Sequence, residues 1–368
     1  MFKNLARASV ATLVAMTAAS AAPTSSNAAP KTPLKVAFVY VSPIGEAGWT
    51  YQHEQGRLAM QQALGDRIAS TAVEAVAEGA DSERVIRDLA AQGNQLIFAT
   101  SFGYLEPTLR VAADFPRVKF EHAGGYKTAA NVNTYNARYY EARYLAGLLA
   151  GKSSKSGTAG YVAGFPVPEV VQGINAFTLG MREANPAAQV KVVWLDSWFD
   201  PARERDAAQT LINQGADVLT NHSGSPAVPQ TAQANFKSKG VRAIAYQSDM
   251  RAFAPDAQLA AVTHHWGGYY TQVARAVLDG RWQPQPVWVG MKDGLVQLSA
   301  VSADVPAPTR ALVEARREAI VAGRFQPFSA PLVDNDGKVR LAAGSLTDAQ
   351  IATMNWFVRG VVGSVPKP

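Results

Sequence analysis

The sequence predicts an α/β protein built from two doubly wound, Rossmann-like lobes joined by a hinge that the chain crosses several times. Three observations predict it. Short apolar runs rich in β-branched and aromatic residues alternate with helical stretches, as parallel sheets covered on both faces require. The alternation halts at the polar segment Lys152 to Gly157 and then starts afresh. The 368 residues, 48% of them hydrophobic, suffice for two cores.

In order, the first lobe opens on LKVAFVYV, an apolar strand broken by Ser42, Pro43 and Gly45 and followed by a helix whose first turn holds Gly48, Trp49 and Thr50. The spacing predicts strands at Lys35 to Val41, Ser70 to Val76, Gln95 to Thr100, Val118 to His122 and Asn131 to Tyr135. Helices are predicted at Thr50 to Leu64, Asp81 to Gln92, Pro107 to Phe115 and Arg138 to Gly151. KSSKSG at 152–157 is the expected crossing to the second lobe. There, strands Thr158 to Ala163, Val190 to Leu195, Val218 to Asn221 and Val241 to Tyr246 interleave with helices Pro168 to Asn185, Pro201 to Gln214 and Val228 to Lys239. After a strand at Leu259 to Thr263, the helix Tyr269 to Leu278 is expected to return to the first lobe. Segments at Val287 to Gly290 and Val296 to Ser299, a helix at Pro308 to Gly323, a hairpin at Asn335-Asp336-Gly337 and a helix at Thr347 to Phe357 close the chain. The expected organisation is therefore lobe 1 at 34–152, completed by about 267–325, and lobe 2 at 153–266, completed by about 326–368.

Residues 1–22 carry Lys3 and Arg7, an Ala, Val, Leu and Met run, and the small-x-small triplet Ala19-Ser20-Ala21, the pattern of an export signal; 23–33 reads as a loose leader. The sequence contains no cysteine, which excludes disulfides, thiol-based metal sites and a lipid-modified Cys, so the expected location is free in a periplasm-like space. The net charge of +6 becomes +4 without Lys3 and Arg7, and the basic residues are scattered, so no nucleic-acid surface is expected.

Motifs for enzyme chemistry fail on context. AGLLAGKS at 146–153 formally matches a relaxed phosphate loop, but it closes a helix where the mechanism needs a glycine-rich turn after a strand. Asp334-Asn335-Asp336-Gly337 resembles the start of a calcium loop and lacks the closing acidic residue. The five histidines, His53, His122, His222, His264 and His265, form no HExxH pair, and there is no G-x-S-x-G elbow. Glu46 and Asp249 are a conceivable carboxylate pair whose separation the sequence leaves open.

What recurs is an aromatic or polar residue straight after a strand, where open α/β sheets bind ligands. Trp49 and Thr50 follow the first strand; Phe102, Gly103 and Tyr104 follow another; Trp198 and Phe199 come after Val190 to Leu195. Asn221 and Ser223, Gln247 and Asp249, and His264, His265 and Trp266 mark three further strand ends. Core packing is the plainer reading for any one ring. Six strand ends with one habit point to flat rings sandwiching a flat ligand while polar groups read its edge.

At these positions the sequence resembles the basic membrane protein family of ABC-transporter solute-binding proteins, whose studied members bind purine nucleosides or related bases. Glu46 to Thr50 with Gly56, SFGYLEP at 101–107, AADFPRVKF at 112–120, EARYLAGLLA at 141–150, Phe199-Asp200-Pro201 and QGADV at 214–218 carry the likeness across the mature chain. The resemblance implies the type I periplasmic binding protein fold. It also implies one stacking ring at Trp49 and a second at Phe199, or at Trp198 if the loop shifts. The family's ribose-binding acid falls on Gln247, its second Asp remains as Asp249, its ligand-facing Lys falls near His264 or His265, and its opening Asp is Glu46. With an anion and a cation both lost from the sugar end, the expected ligand is a free purine base, adenine first, ahead of a nucleoside. Asp249 is the expected acceptor for its exocyclic amine. The expected protein is a monomer with no cofactor and no catalytic activity that hands this small planar ligand to a membrane permease. The alternatives are a nucleoside hydrolase on the same scaffold or a ligand-presenting sensory receptor.

Overall fold

The computed structural model describes residues 32–366, so the expected signal segment lies outside the described residues. The first half of the chain contains β1 (Leu34–Val39), α1 (Trp49–Leu64), β2 (Ile68–Val73), α2 (Ala80–Ala91), β3 (Leu96–Ala99), α3 (Leu105–Asp114), β4 (Lys119–Ala123), β5 (Val132–Ala137) and α4 (Tyr139–Ser153). The second contains β6 (Thr158–Ala163), α5 (Pro168–Ala184), β7 (Gln189–Trp194), α6 (Pro201–Asn213), β8 (Val218–His222), α7 (Ala227–Lys239), β9 (Arg242–Gln247) and β10 (Gln258–His264). The remainder contributes α8 (Gly267–Leu278), β11 (Val287–Val289), β12 (Val296–Leu298), α9 (Ala307–Val321), β13 (Leu332–Val333), β14 (Val339–Leu341), α10 (Asp348–Ala352) and β15 (Val361–Val362).

Two sheets organise them, in the orders β11-β5-β4-β3-β1-β2 and β12-β10-β9-β8-β6-β7-β15. All neighbours are parallel except β12, which runs antiparallel to β10. The order reverses between β1 and β3 in the first sheet and between β6 and β8 in the second. Those are the switch points where the carboxyl ends of strands open a crevice. The fully buried strands read as apolar runs because helices cover both faces: Val36, Phe38, Ile97 and Phe98 have no exposed surface.

The tail is shared between the sheets. Residues 267–325 were expected to complete the first lobe, yet β11 joins the first sheet and β12 the second. The crossing also falls earlier than the polar segment suggests. Helix α4 packs on α5, β10 and β12, so the chain changes lobe at Arg138, between β5 and α4. A helix apolar around most of its circumference belongs in an interior, and every residue of α4 from Tyr139 to Gly151 except Glu141 is buried. Its contact with α5 is backbone-close: a Cβ on Gly147 would lie 1.9 Å from the Phe177 carbonyl oxygen, and one on Gly180 2.0 Å from that of Tyr144. Lys152 and Ser153 end α4, and residues 154–157 form a turn tied to Asp217, whose carboxylate accepts from Ser154 Oγ (2.5 Å), Lys155 N (2.7 Å) and Ser156 N (2.8 Å).

The Asp334 to Gly337 run turns the antiparallel hairpin β13–β14, with Gly337 at φ 90°. The Asp334 carboxylate is occupied by Asp336 N, Lys338 N and Arg340 Nε. The expected helix at 347–357 is only α10, held by a Thr347–Gln350 capping box.

Candidate functional site

Residues from both switch points line one cleft between the lobes, about 500 Å³ of space partly open to solvent. The first lobe contributes Val41, Ser42, Trp49, Ser101, Phe102, Ala123 and Gly124; the second contributes Glu169, Trp198, His222, Gly224 and Gln247.

Trp49 opens α1 directly after the loop that follows β1. Its Nε1 donates to the Thr100 carbonyl at 2.6 Å, which fixes the indole, and its lower edge meets His53, Tyr139, His264 and Trp266 in edge-on contacts 4.4 to 6.3 Å between centroids. Below it lies an aromatic core in which His53 stacks on Trp266 at 4.9 Å. Burial holds the pKa values of His53 and His264 well below the usual histidine value, so both are neutral rings of that core.

Trp198 faces the cleft from the other lobe. Its ring covers Gly164, where a Cβ would sit 2.7 Å from Trp198 Cε3, and meets Phe165 edge-on at 4.8 Å. Its Nε1 crosses the gap to Glu78 Oε1 (3.1 Å), the same oxygen that accepts from Ser101 Oγ (2.6 Å) and Gly103 N (2.7 Å). Two more bonds span the lobes: Gly48 N to Ser248 Oγ (2.8 Å) and Asn136 Nδ2 to Glu169 Oε2 (3.0 Å). At Gly48 (φ 96°) a Cβ would lie 1.9 Å from the Gly224 carbonyl oxygen, so the lobes stand closed on each other.

Three polar side chains edge the cleft. Gln247 ends β9 with φ at +73°, a conformation unusual for a residue with a side chain; its buried Oε1 has no hydrogen-bond partner. Glu169 lies in the first turn of α5, and its Oε1 is 3.5 Å from His222 Nε2. Burial lowers the His222 pKa, with Glu169 opposing, so the imidazole is neutral and carries one donor and one acceptor.

Of the residues expected to touch ligand, Trp49, Phe102, Trp198 and Gln247 line the cleft together. Of the neighbouring pair Trp198 and Phe199, Trp198 lines the cleft, and the Phe199 ring lies against Gly224. Several expectations are corrected. Thr50 turns to Ser42 Oγ (2.7 Å), and Gly103 supplies only its backbone N–H to Glu78. Tyr104 is wholly buried in the first lobe, its hydroxyl bonded to the Val76 carbonyl at 2.6 Å. Asn221 lies outside the cleft lining, its Nδ2 donating to the Ser223 carbonyl (2.9 Å) while its buried Oδ1 has no partner, and Ser223 is itself buried. Asp249 is exposed, with its carboxylate held by Gln258 Nε2 (2.6 Å) and Arg251 N (3.0 Å). His265 is exposed and bonded to Thr263, whereas His264 and Trp266 are core. A residue just past a strand meets the cleft only when its side chain turns inward: Trp198 follows β7 and Gln247 ends β9, strands one place removed from the switch point. Sequence reasoning missed Glu169 and did not select His222 or Gly224. The signal for the latter two was their place at the end of β8, beside β6.

Among the described residues no group of three His, Cys, Asp or Glu side chains could hold a metal ion, and no helix is long and apolar enough to cross a membrane.

Two parallel-sheet lobes closed over a ring-lined cleft define a ligand-clamping binding protein of the type I periplasmic class. The chain belongs to the family described as ABC transporter substrate-binding protein, PnrA-like, whose model matches residues 34–320. It is 50% identical over 335 residues to a purine-binding protein of Brucella abortus, covering 91% of this chain and 94% of that one. It is 36% identical over 333 residues, 90% and 81% of the two chains, to a Haloferax volcanii protein described as an ABC transporter glucose-binding protein. An ABC transporter solute-binding protein from Aeropyrum pernix shares the fold, with a TM-score of 0.68 and 19% identity over 81% of this chain and 94% of that one. By that family membership the chain is an ABC transporter substrate-binding protein.

Proposed function

We propose that the ligand is a free purine base, adenine favoured over nucleosides, gripped between Trp49 and Phe102 on one lobe and Trp198 on the other and delivered to a membrane permease. The supporting observation is that rings from both lobes line one cleft whose rim carries Glu169, His222 and Gln247. A base stacked on an aromatic ring gains about 1 to 3 kcal/mol, and each edge hydrogen bond about 1 more, consistent after the cost of association with micromolar or tighter binding. The acceptor for an amine is Glu169 in place of Asp249. The 50% identical relative's description supports a purine; the 36% identical relative's supports a sugar. An exported, monomeric, non-catalytic protein with residues 1–22 as its signal completes the proposal.

Calorimetry with adenine, hypoxanthine, adenosine and glucose decides among these. Adenine is expected to bind one-to-one, and adenosine at least about tenfold more weakly. Saturable binding of glucose with none of either base would overturn the purine reading.

A further inference from the structure

Behind the cleft, α4 carries Arg143, a guanidinium with no exposed surface. Its Nη atoms donate to Thr220 Oγ1 (2.9 Å) and the Asn221 carbonyl (2.6 Å), and the Tyr246 ring lies 3.5 Å from its central carbon. Its Nε has no partner, and neither has the Tyr161 hydroxyl or His222 Nδ1, all three buried. These orphaned atoms converge. A Cβ built on Gly173 would lie 3.1 Å from Tyr161 Oη and 3.7 Å from both Arg143 Nε and His222 Nδ1. Two donors and one ring nitrogen around the side of a glycine that lacks a Cβ are a site for one water, which bonds to about three polar groups when buried.

We infer that a water over Gly173, held by Arg143 and Tyr161, donates to His222 Nδ1 and so fixes the proton on Nε2, making Glu169 and His222 a fixed acceptor and donor that read adjacent N–H and ring-nitrogen groups of the ligand. Arg143 cannot give up its proton and Nε is a donor only, so the water accepts from Arg143 and turns its own hydrogen to the imidazole. The second nitrogen, on the cleft side, then carries N–H beside the Glu169 carboxylate, 3.5 Å away. Glu169 accepts from Asn136 through Oε2, which leaves Oε1 for the ligand's amine, and the His222 N–H, 3.5 Å from that oxygen and outside ordinary hydrogen-bond distance, is left for the ring nitrogen. A donor and an acceptor at that spacing match the amidine edge of an aminopurine, an exocyclic amine next to a ring nitrogen. His222 and Arg143 act here as positioning residues, and the pairing with an aminopurine rests on the purine reading above.

Two measurements test it. In ligand-free protein, the imidazole ¹⁵N shifts of His222 are expected to show a protonated Nε2. Gly173→Ala, whose methyl group displaces the water and moves the Tyr161 hydroxyl, 3.1 Å away, by a few tenths of an ångström, is expected to abolish that single-tautomer signature. A wild-type ring protonated on Nδ1, or an unchanged signature in G173A, would overturn the inference without reference to any ligand. Calorimetry then compares adenine with unsubstituted purine, which lacks the amine. Wild type is expected to favour adenine at least about tenfold, and Glu169→Gln to bring the two within about threefold, because the one oxygen of Gln goes to Asn136 Nδ2 and its NH2 then faces the amine. A preference for adenine that persists in E169Q would refute the assignment of Glu169 while leaving the purine reading intact. If wild type binds neither base, the purine reading fails, and the His222 measurement alone decides the inference.

Discussion

Trp49→Ala removes the ring that the Thr100 carbonyl holds over the cleft. Adenine affinity is expected to fall at least about tenfold by calorimetry, the loss of one stacked base. Trp49 is only half-buried, so its loss should cost less than the roughly 3 to 5 kcal/mol of a core aromatic. Tyr104→Phe is the matching control: its hydroxyl serves Val76 inside the lobe, so binding should be unchanged while stability drops by about 1 to 2 kcal/mol in urea unfolding. At this scale the sequence was informative about residue type and weak about direction. An aromatic past a strand marked Trp49, Phe102 and Trp198, but the same rule took in Tyr104, which a tight turn at 102–104 rotates into the core. Glu169 carried no such mark because it follows the loop after β6 and sits inside a helix.

Among the elements, α4 and α5 are the pair whose contact leaves least room. Gly147→Ala should destabilise by more than about 2 kcal/mol in denaturant unfolding, since the methyl group meets a carbonyl and neither helix can move off without opening the core. The strand β4 gives a second test through Glu121, fully buried and accepting from Tyr269 (2.7 Å), Trp282 (2.7 Å) and Asn133 (3.0 Å) with no cation beside it. Burial pushes its carboxyl from about 4.5 up to about 7. Across that window the folded state binds more protons than the unfolded one, so Glu121 makes stability fall as pH rises from about 4.5 to 7. Glu121→Gln should flatten the urea midpoint between pH 5 and 7.5, with Asn133, whose Oδ1 is unpartnered, turning to accept the new amide. Element types were legible because strand and helix periods differ. The crossing was not: KSSKSG has the composition of a linker, yet its first two residues end α4 and the rest turn because Asp217, more than sixty residues on, supplies the acceptor. Membership of α4 in the second lobe depended on what covers its apolar surface, which periodicity alone does not name.

For the molecule as a whole, closure is written into the approach of Gly48 to Gly224, which admits no side chain. Gly48→Ala should leave both lobes folded by circular dichroism, weaken adenine binding, and keep the radius of gyration in small-angle scattering unchanged on adding adenine; wild type should contract. The two-lobed plan was visible in the repeated alternation of strands and helices, whereas the tail's division between sheets depends on β11 and β12, three residues each, too short to carry a pattern. Glu78 adds a consequence that reaches beyond the cleft. One of its oxygens receives Ser101, Gly103 and, from the opposite lobe, Trp198. Exchanging the indole for a smaller or larger ring therefore also unfastens a clasp. Descendants of this protein that change their cargo at that position inherit a different dwell time with it, and restoring the grip demands a second change elsewhere.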